Sequence, residues 1–341
     1  MKKLITIFLV SILFLSSCGK KEEKKEIINE EIKEEEKIEN TEETKEEKKI
    51  NIINMDSNTR PYLVVVNNFP SAVKVQSGLS SAYMIYEVPV EGGMSRSLAL
   101  YKDKYPERIG TVRSARHNFL DYVMENDAIF VHFGWSHYAQ DEMNYTWSID
   151  NINGLYDSPF WRDNPEGLAY EHTAYTNLNS VRDLAINRGY RLTTDTKPLL
   201  NYSIDEINLS DGVVANEVIV PYSSYYIVKF LYDANTKMYK RYVNDVAHTD
   251  YYTGEHFEAK NIIVVKIDYN VTDDNYYLNF HNTGTGNGYY ITNGMAKAIT
   301  WEKQARDSKT IYRYLDGTEI NVNDGNTYIM MQSNYQDTTI D

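Results

Sequence analysis

Arg60-Pro61-Tyr62-Leu63-Val64-Val65-Val66-Asn67 is the stretch on which the fold turns. Its apolar run is continuous and closed by polar residues, the pattern of a buried strand. Residues 84–90 and 97–101 read as two more strands, joined by a turn at Gly92-Gly93. Over 115–125, Phe119, Tyr122 and Val123 recur at helical spacing, and 128–133 is again an apolar strand, ended by Gly134. A helix is expected over 178–187, stopped at Gly189. This mixture predicts an α+β or α/β domain over residues 57–200.

Beyond it the pattern changes. Segments 213–220, 225–232, 238–243, 261–267, 276–281, 288–292, 296–301, 310–315 and 326–331 are short and rich in Val, Ile, Tyr and Thr. Asn293-Gly294, Asp316-Gly317 and Asp324-Gly325 are turn pairs between several of them. A mostly-β C-terminal domain is therefore expected over 201–341, with Gly284-Thr285-Gly286-Asn287-Gly288 as a loop between strands. The many tyrosines suit sheet positions.

Upstream lies chain of another kind. Met1-Lys2-Lys3, an apolar run over 4–15 and Leu15-Ser16-Ser17-Cys18 have the layout of a secretory signal, residues 1–17, too short to span a bilayer. Leu-Ser-Ser-Cys resembles the bacterial lipobox, which implies cleavage before Cys18, lipidation of that residue, and tethering to the outer face of the cell membrane. Acyl chains contribute about 0.8 kcal/mol per buried methylene, so such an anchor is stable. Cys18 is the only cysteine, which leaves the exported chain without disulfide or thiol chemistry. Residues 20–50 hold thirteen Glu and nine Lys and no Gly, Pro or aromatic residue, so 18–56 reads as a disordered spacer. The formal net charge of −14 argues against general nucleic-acid binding.

The polar residues of the first domain cluster. Glu87 and Glu91 flank the end of one strand and Arg96 opens the next. Ile109-Gly110-Thr111-Val112-Arg113-Ser114-Ala115-Arg116-His117 then sets Arg113 and Arg116 three apart at an expected helix start, where forked guanidinium donors and free N–H groups suit a phosphate or carboxylate. His132 ends an apolar strand, and the turn Gly134-Trp135-Ser136-His137 is placed to present His132, Ser136 and His137 to one cleft. Phe160-Trp161-Arg162-Asp163 and Tyr170-Glu171-His172-Thr173 add further polar groups in a loop-like stretch. Two readings stand. Glu87 and Glu91 pair internally with Arg96, Arg113 or Arg116 and hold the fold, or the arginines take an anion while an acid orients it, binds a divalent metal or moves a proton.

Familiar catalytic motifs are missing: there is no Gly-x-Ser-x-Gly, phosphate loop, His-Glu-x-x-His or strand-borne Gly-x-Gly-x-x-Gly. Zinc is disfavoured, and no cofactor is assigned.

A resemblance arises at these same residues. Arg60-Pro61 with Asn67-Asn68, Gln76-Ser77-Gly78-Leu79, Tyr86-Glu87, Glu91-Gly92-Gly93 with Arg96, the run 109–116 and His132-Phe133-Gly134-Trp135-Ser136 resemble the YerB-like lipoproteins of low-GC Gram-positive bacteria. Tyr232-Asp233, Tyr239 with Arg241, 261–265, Gly284 with Gly286, and Thr300-Trp301 with Lys303 are similar to that family's C-terminal domain. The resemblance implies two fused domains on a surface lipoprotein and brings no reaction with it. Glu171-His172-Thr173 departs from the Pro-His-Asn usual there, keeping the histidine. A looser likeness, an analogy only, is to cell-wall phosphotransferases that hold a lipid pyrophosphate with arginines and acids.

The function expected is thus a tethered module binding an anionic or carbohydrate-bearing envelope ligand through Arg96, Arg113, Arg116, Ser114 and Asn67. The alternatives are an envelope hydrolase or phosphotransferase using Glu87, Glu91, His132 or His172 at that cleft, and a non-catalytic partner of an envelope enzyme. Binding and turnover both remain open at this level.

Overall fold

The computed structural model describes residues 49–272 and 276–341; the expected signal segment, Cys18 and most of the spacer lie outside the described residues. The run that opened the sequence reading is β1 (Tyr62–Asn67), with every residue buried. Side chains alternate across a strand, so Leu63 and Val65 join one core while Tyr62, Val64 and Val66 join another. A strand covered on both faces needs a continuous apolar run. Next along the chain come β2 (Met84–Val90), β3 (Met94–Tyr101), α1 (Phe119–Glu125), β4 (Ile129–His132), α2 (His137–Tyr145), β5 (Asn151–Asn153) and α3 (Leu178–Asn187). The second half supplies β6 (Glu217–Ser223), β7 (Tyr226–Asp233), β8 (Met238–Val243), β9 (Asn261–Val271), β10 (Gly284–Thr292), β11 (Met295–Lys303) and β12 (Thr327–Ser333).

The N-terminal half is mixed and the C-terminal half β-rich, yet the two share a sheet. Among the described residues this sheet has twelve strands, in the order Val213–Val214, β11, β10, β9, β12, β2, β3, β1, β4, β5, with Leu278–His281 beside β9 and Ile311–Tyr314 beside β11. The halves meet where β12 pairs in parallel with β2, Met84 opposite Thr327 through Glu87 opposite Met330. A second sheet holds β8, β7 and β6, whose burial alternates as the sequence does. Val218, Val220, Val228 and Phe230 pack from it onto Val64, Ile85, Ile262 and Tyr328. On the opposite face Phe119 and Leu120 of α1 cover Leu63, Val65 and Tyr86.

Several expectations change. The helix expected from Ala115 starts at Phe119, because Ala115 is drawn into a bridge with Trp135, its N–H donating to the Gly134 carbonyl at 2.9 Å. Arg113 and Arg116 therefore do not sit in a helical first turn. The Gly284–Gly288 segment is the start of β10, not a loop. A Cβ on Gly286 would lie 2.4 Å from Trp301 Nε1 and one on Gly288 2.1 Å from the Val264 carbonyl, so these glycines permit close approach. The tail of the expected spacer is docked: Ile53 enters the core, and the Asn51 and Ile52 N–H groups each donate to Asp324 at 2.9 Å.

Two candidate catalytic residues prove to be interior. Glu87 is fully buried; Arg241 donates to its Oε2 at 2.7 Å, and the Ser95 and Tyr226 hydroxyls donate to Oε1 at 2.7 and 3.0 Å. Burial works against the Arg241 charge, and Glu87 more than restores it, holding the guanidinium above its ordinary value. No face of Glu87 is left for a substrate. His132 is likewise sealed, Nδ1 lying 2.8 Å from the Gly134 carbonyl and Nε2 3.3 Å from Asn151 Oδ1. Burial pushes its imidazole down to about 4.

Glu87→Ala strands a buried guanidinium and is expected to lower unfolding stability by about 3–5 kcal/mol. Replacing Glu87 and Arg241 together by Met should recover most of that; urea unfolding at equal m-value measures both, and an additive loss in the double variant would refute the pairing. For His132, the unfolded chain takes up a proton near pH 6.5 and the folded chain only near 4. Its contribution is thus complete above about pH 6.5 and lost as pH falls toward 4. Asp121, raised to about 6 by burial, has the opposite sign and stays constant in the comparison. Between pH 7 and 4.5, wild type should lose about 2–3 kcal/mol more than His132→Leu; equal pH slopes for the two proteins would contradict this.

Candidate functional site

β1, β4 and β5 run parallel, and β2 runs the same way because both it and β1 pair antiparallel with β3. Their C-terminal ends therefore open on one edge, the position where parallel sheets gather ligands. Asn67 ends β1 there with Arg96 opposite it on β3, the Glu91–Gly93 turn follows β2, and Gly134 follows β4.

The segment carrying the other arginines lies across these strand ends, held by backbone bonds on both sides. Asn67 N–H donates to the Thr111 carbonyl and Arg113 N–H to that of Val65, each at 2.9 Å. On the other side Phe133 N–H donates to the Arg113 carbonyl and Ser136 N–H to that of Ala115, each at 3.0 Å. This stitching brings Arg113, Ser114 and Arg116 to Arg96, whose side chain donates to the Ser114 carbonyl.

One acid answers the cluster directly. Arg116 Nε and Nη2 donate to the two Glu91 oxygens at 2.6 and 3.0 Å, a bidentate clamp, with the guanidinium 5.0 Å from the Tyr277 ring centre. Arg113 donates to the Glu171 carbonyl at 3.1 Å. Among the described residues the side-chain bonds of Arg96 and Arg113 go to backbone oxygens only, with no carboxylate partner. Burial, together with Arg116 beside it, holds the Arg96 guanidinium well below its ordinary value. Burial also lowers Arg113, where Arg116 and Arg162 act with it and Glu171 opposes.

His172 completes the edge. Its Nδ1 accepts from Asn67 Nδ2 at 2.8 Å and its ring stacks on Phe69 at 4.7 Å. Burial and Arg113 lower its pKa. Arg162 stacks on Tyr170 and Phe133 at 3.8 and 4.4 Å.

Of the residues singled out from sequence, Asn67, Glu91, Arg96, Arg113, Ser114, Arg116 and His172 thus belong to this edge, whereas Glu87 and His132 belong to the interior. Ser136 caps α2, accepting from Ala139 N–H at 3.2 Å, and His137 stacks on Tyr138. Glu87 and Glu91, offered to a divalent metal, hold different arginines. Tyr277 escaped the sequence reading, since it comes from the β-rich half and nothing local marks it. Beyond the Glu91–Gly93 turn opens a cavity of about 480 Å³, walled by Met94, Tyr222, Tyr269, Val271, Tyr276 and Leu278.

Two family models match the chain: the N-terminal domain of DUF3048, a protein of unknown function, over residues 49–191, and the corresponding C-terminal domain over 218–329. "Putative lipoprotein YerB" of Bacillus subtilis (strain 168) is 34% identical over 252 residues, 72% of this chain and 73% of that protein. A crystal structure of the YerB protein from Bacillus subtilis superposes with a TM-score of 0.73 at 30% identity, covering 83% of this chain and 94% of the other. Matching models on both halves, a relative aligned across most of each chain and a shared fold place this protein in the DUF3048 family of YerB-like proteins.

Proposed function

We propose that this chain is a membrane-tethered, extracytoplasmic lipoprotein that binds an anionic, carbohydrate-bearing ligand of the cell envelope at the Arg96–Arg113–Arg116 edge. The observation that carries this reading is the gathering of three guanidiniums at one edge, where Arg116 alone clamps a carboxylate and Arg96 and Arg113 bond only to backbone oxygens among the described residues. Like charges held together in partial burial repel, and an oxyanion relieves that repulsion while accepting forked hydrogen bonds. The surrounding chain is acidic, with a formal charge of −14, so the positive edge is a local exception. Ser114 adds a hydroxyl, and Gly134, at φ +79°, keeps the floor low: a Cβ there would lie 3.3 Å from Ser114 Oγ. The tyrosine-walled cavity beside Glu91 suits the flat apolar faces of sugar rings.

A catalytic reading has its own support at the same edge. Asn67 donates to His172 Nδ1, which places the neutral ring's proton on Nε2 and makes that nitrogen a fixed donor beside Arg113. A hydrolase or phosphotransferase here would use His172 and Glu91.

The name of the Bacillus subtilis relative and the Leu-Ser-Ser-Cys sequence support the lipid tether. Among the described residues no helix is long and apolar enough to cross a membrane.

Calorimetric titration of the soluble chain from Gly19, without the lipidated cysteine and with the spacer retained, with inorganic pyrophosphate and anionic wall-glycopolymer fractions is expected to show binding that weakens with salt. Arg113→Ala and Arg116→Ala should each weaken it about tenfold or more with the melting temperature preserved. Silence across the panel, or variants that simply unfold, would leave the arginines a structural role. Cys18→Ser should move the protein from the membrane fraction to the soluble fraction and abolish incorporation of labelled fatty acid; continued membrane association of that variant would contradict the tether.

A further inference from the structure

Arg96 and Met94 stand two residues apart on β3, so their side chains leave the same face of the sheet about 7 Å apart along the strand. On β2, Val90 lies opposite Met94 as Val88 lies opposite Arg96. Met94 and Val90 line the cavity of about 480 Å³ beyond the Glu91–Gly93 turn, and Pro89, Val271 and Leu278 continue its wall, the last two as a cross-strand pair. Glu91 belongs to both places, lining the cavity while its carboxylate holds Arg116. Tyr277, beside Arg116, follows Tyr276 of the cavity wall.

The polar side chains of this wall are largely engaged within the protein. The Tyr222 hydroxyl donates to the Glu87 carbonyl at 3.1 Å, Tyr269 bonds the Ser333 side chain, and Glu91 is taken by Arg116. Of the wall's polar side chains Tyr276 alone, an exposed residue, has no such bond among the described residues. Tyrosine rings accept a sugar face, but the aliphatic part of the wall offers only hydrocarbon. Met94 is partly buried and Val271 is 52% exposed, so this apolar surface stands open to solvent beside the cationic edge. Such surface is relieved when a guest covers it.

We propose that the ligand of the arginine edge is amphiphilic: a phosphate or diphosphate head lies on Arg96, Arg113 and Arg116, and a hydrocarbon chain esterified to it lies in this cavity. The proposal rests on the reading of that edge as an anion site. Phosphate is favoured over a fatty carboxylate because Arg96 and Arg113 both lack a carboxylate partner among the described residues, and a phosphate ester has the charge and the oxygens to serve more than one guanidinium. The short step from Arg96 to Met94 lets head and chain join without a spacer between them. Two buried methylenes already correspond to about a tenfold gain in affinity.

The test is calorimetric titration of the soluble chain from Gly19 with inorganic pyrophosphate, geranyl pyrophosphate and geraniol, below the concentration at which the ester aggregates. Geranyl pyrophosphate is expected to bind about tenfold or more tightly than pyrophosphate, and geraniol more weakly than the ester. Met94→Gln and Val271→Asn together should remove the gain given by the chain, with pyrophosphate affinity and melting temperature unchanged. Should that pair not fold, Val271→Asn alone, at an exposed position, should reduce the gain. Pyrophosphate binding with no gain from the chain would overturn the proposal and leave the edge an anion site, whereas binding of no probe would remove both readings. A gain that survives undiminished in the variants would put the chain elsewhere and overturn the proposal as well.

Discussion

The parallel ladder between β2 and β12 is the constraint from which the rest of this structure follows. It inserts the last long strand of the chain beside the second, so two stretches far apart in sequence become neighbours at the centre of one sheet. Once there, both strands are covered on both faces, and every charge they carry must find its partner inside the protein. Glu87 does so by meeting Arg241 from the second sheet. Lys303 with Glu125 and Arg306 with Asp121 repeat the arrangement between the helix α1 and the β-rich half. The halves are separable as family models and inseparable as a sheet.

The direction of the parallel strands sets the edge at which the arginines gather. Strands β1, β2, β4 and β5 all finish on one edge, where the ladder leaves backbone groups for other segments. The Thr111–Arg116 segment takes up those groups from β1 and from the turn after β4. Its side chains are thereby placed against Arg96 without the help of a helix dipole. Arginine suits this role because its planar fork reaches backbone carbonyls with one side and leaves further donors free.

The arginine edge treats charge differently from the interior. At the edge Arg116 alone holds the carboxylate of Glu91, while Arg96 and Arg113 bond to backbone carbonyls. In the interior Glu87 with Arg241, Glu125 with Lys303 and Asp121 with Arg306 join acid to base, which makes the edge the exception.

Much of the fold was legible in the residues. β1, β2, β4 and α3 announced themselves by continuous apolar runs or helical spacing, and the strands of the second half by short Val-, Ile- and Tyr-rich segments between turn pairs, because local burial patterns depend on local periodicity. The arginine edge was legible too, since Arg96, Arg113 and Arg116 flank strand ends that any parallel sheet would align. What periodicity does not encode is which distant strand lies alongside. Glu87 and His132 looked available because their partners, Arg241 in one case and the Gly134–Asn151 enclosure in the other, are supplied by tertiary pairing. Helix propensity extended α1 back to Ala115, and the competing bridge to Trp135 took those residues away. The sequence by itself determined the elements, the acidic balance and the presence of an arginine cluster; only the tertiary structure decided which charges stay at the open edge and which face each other, because that depends on contacts outside the reach of local periodicity, 154 residues apart for Glu87 and Arg241 and 25 for Glu91 and Arg116.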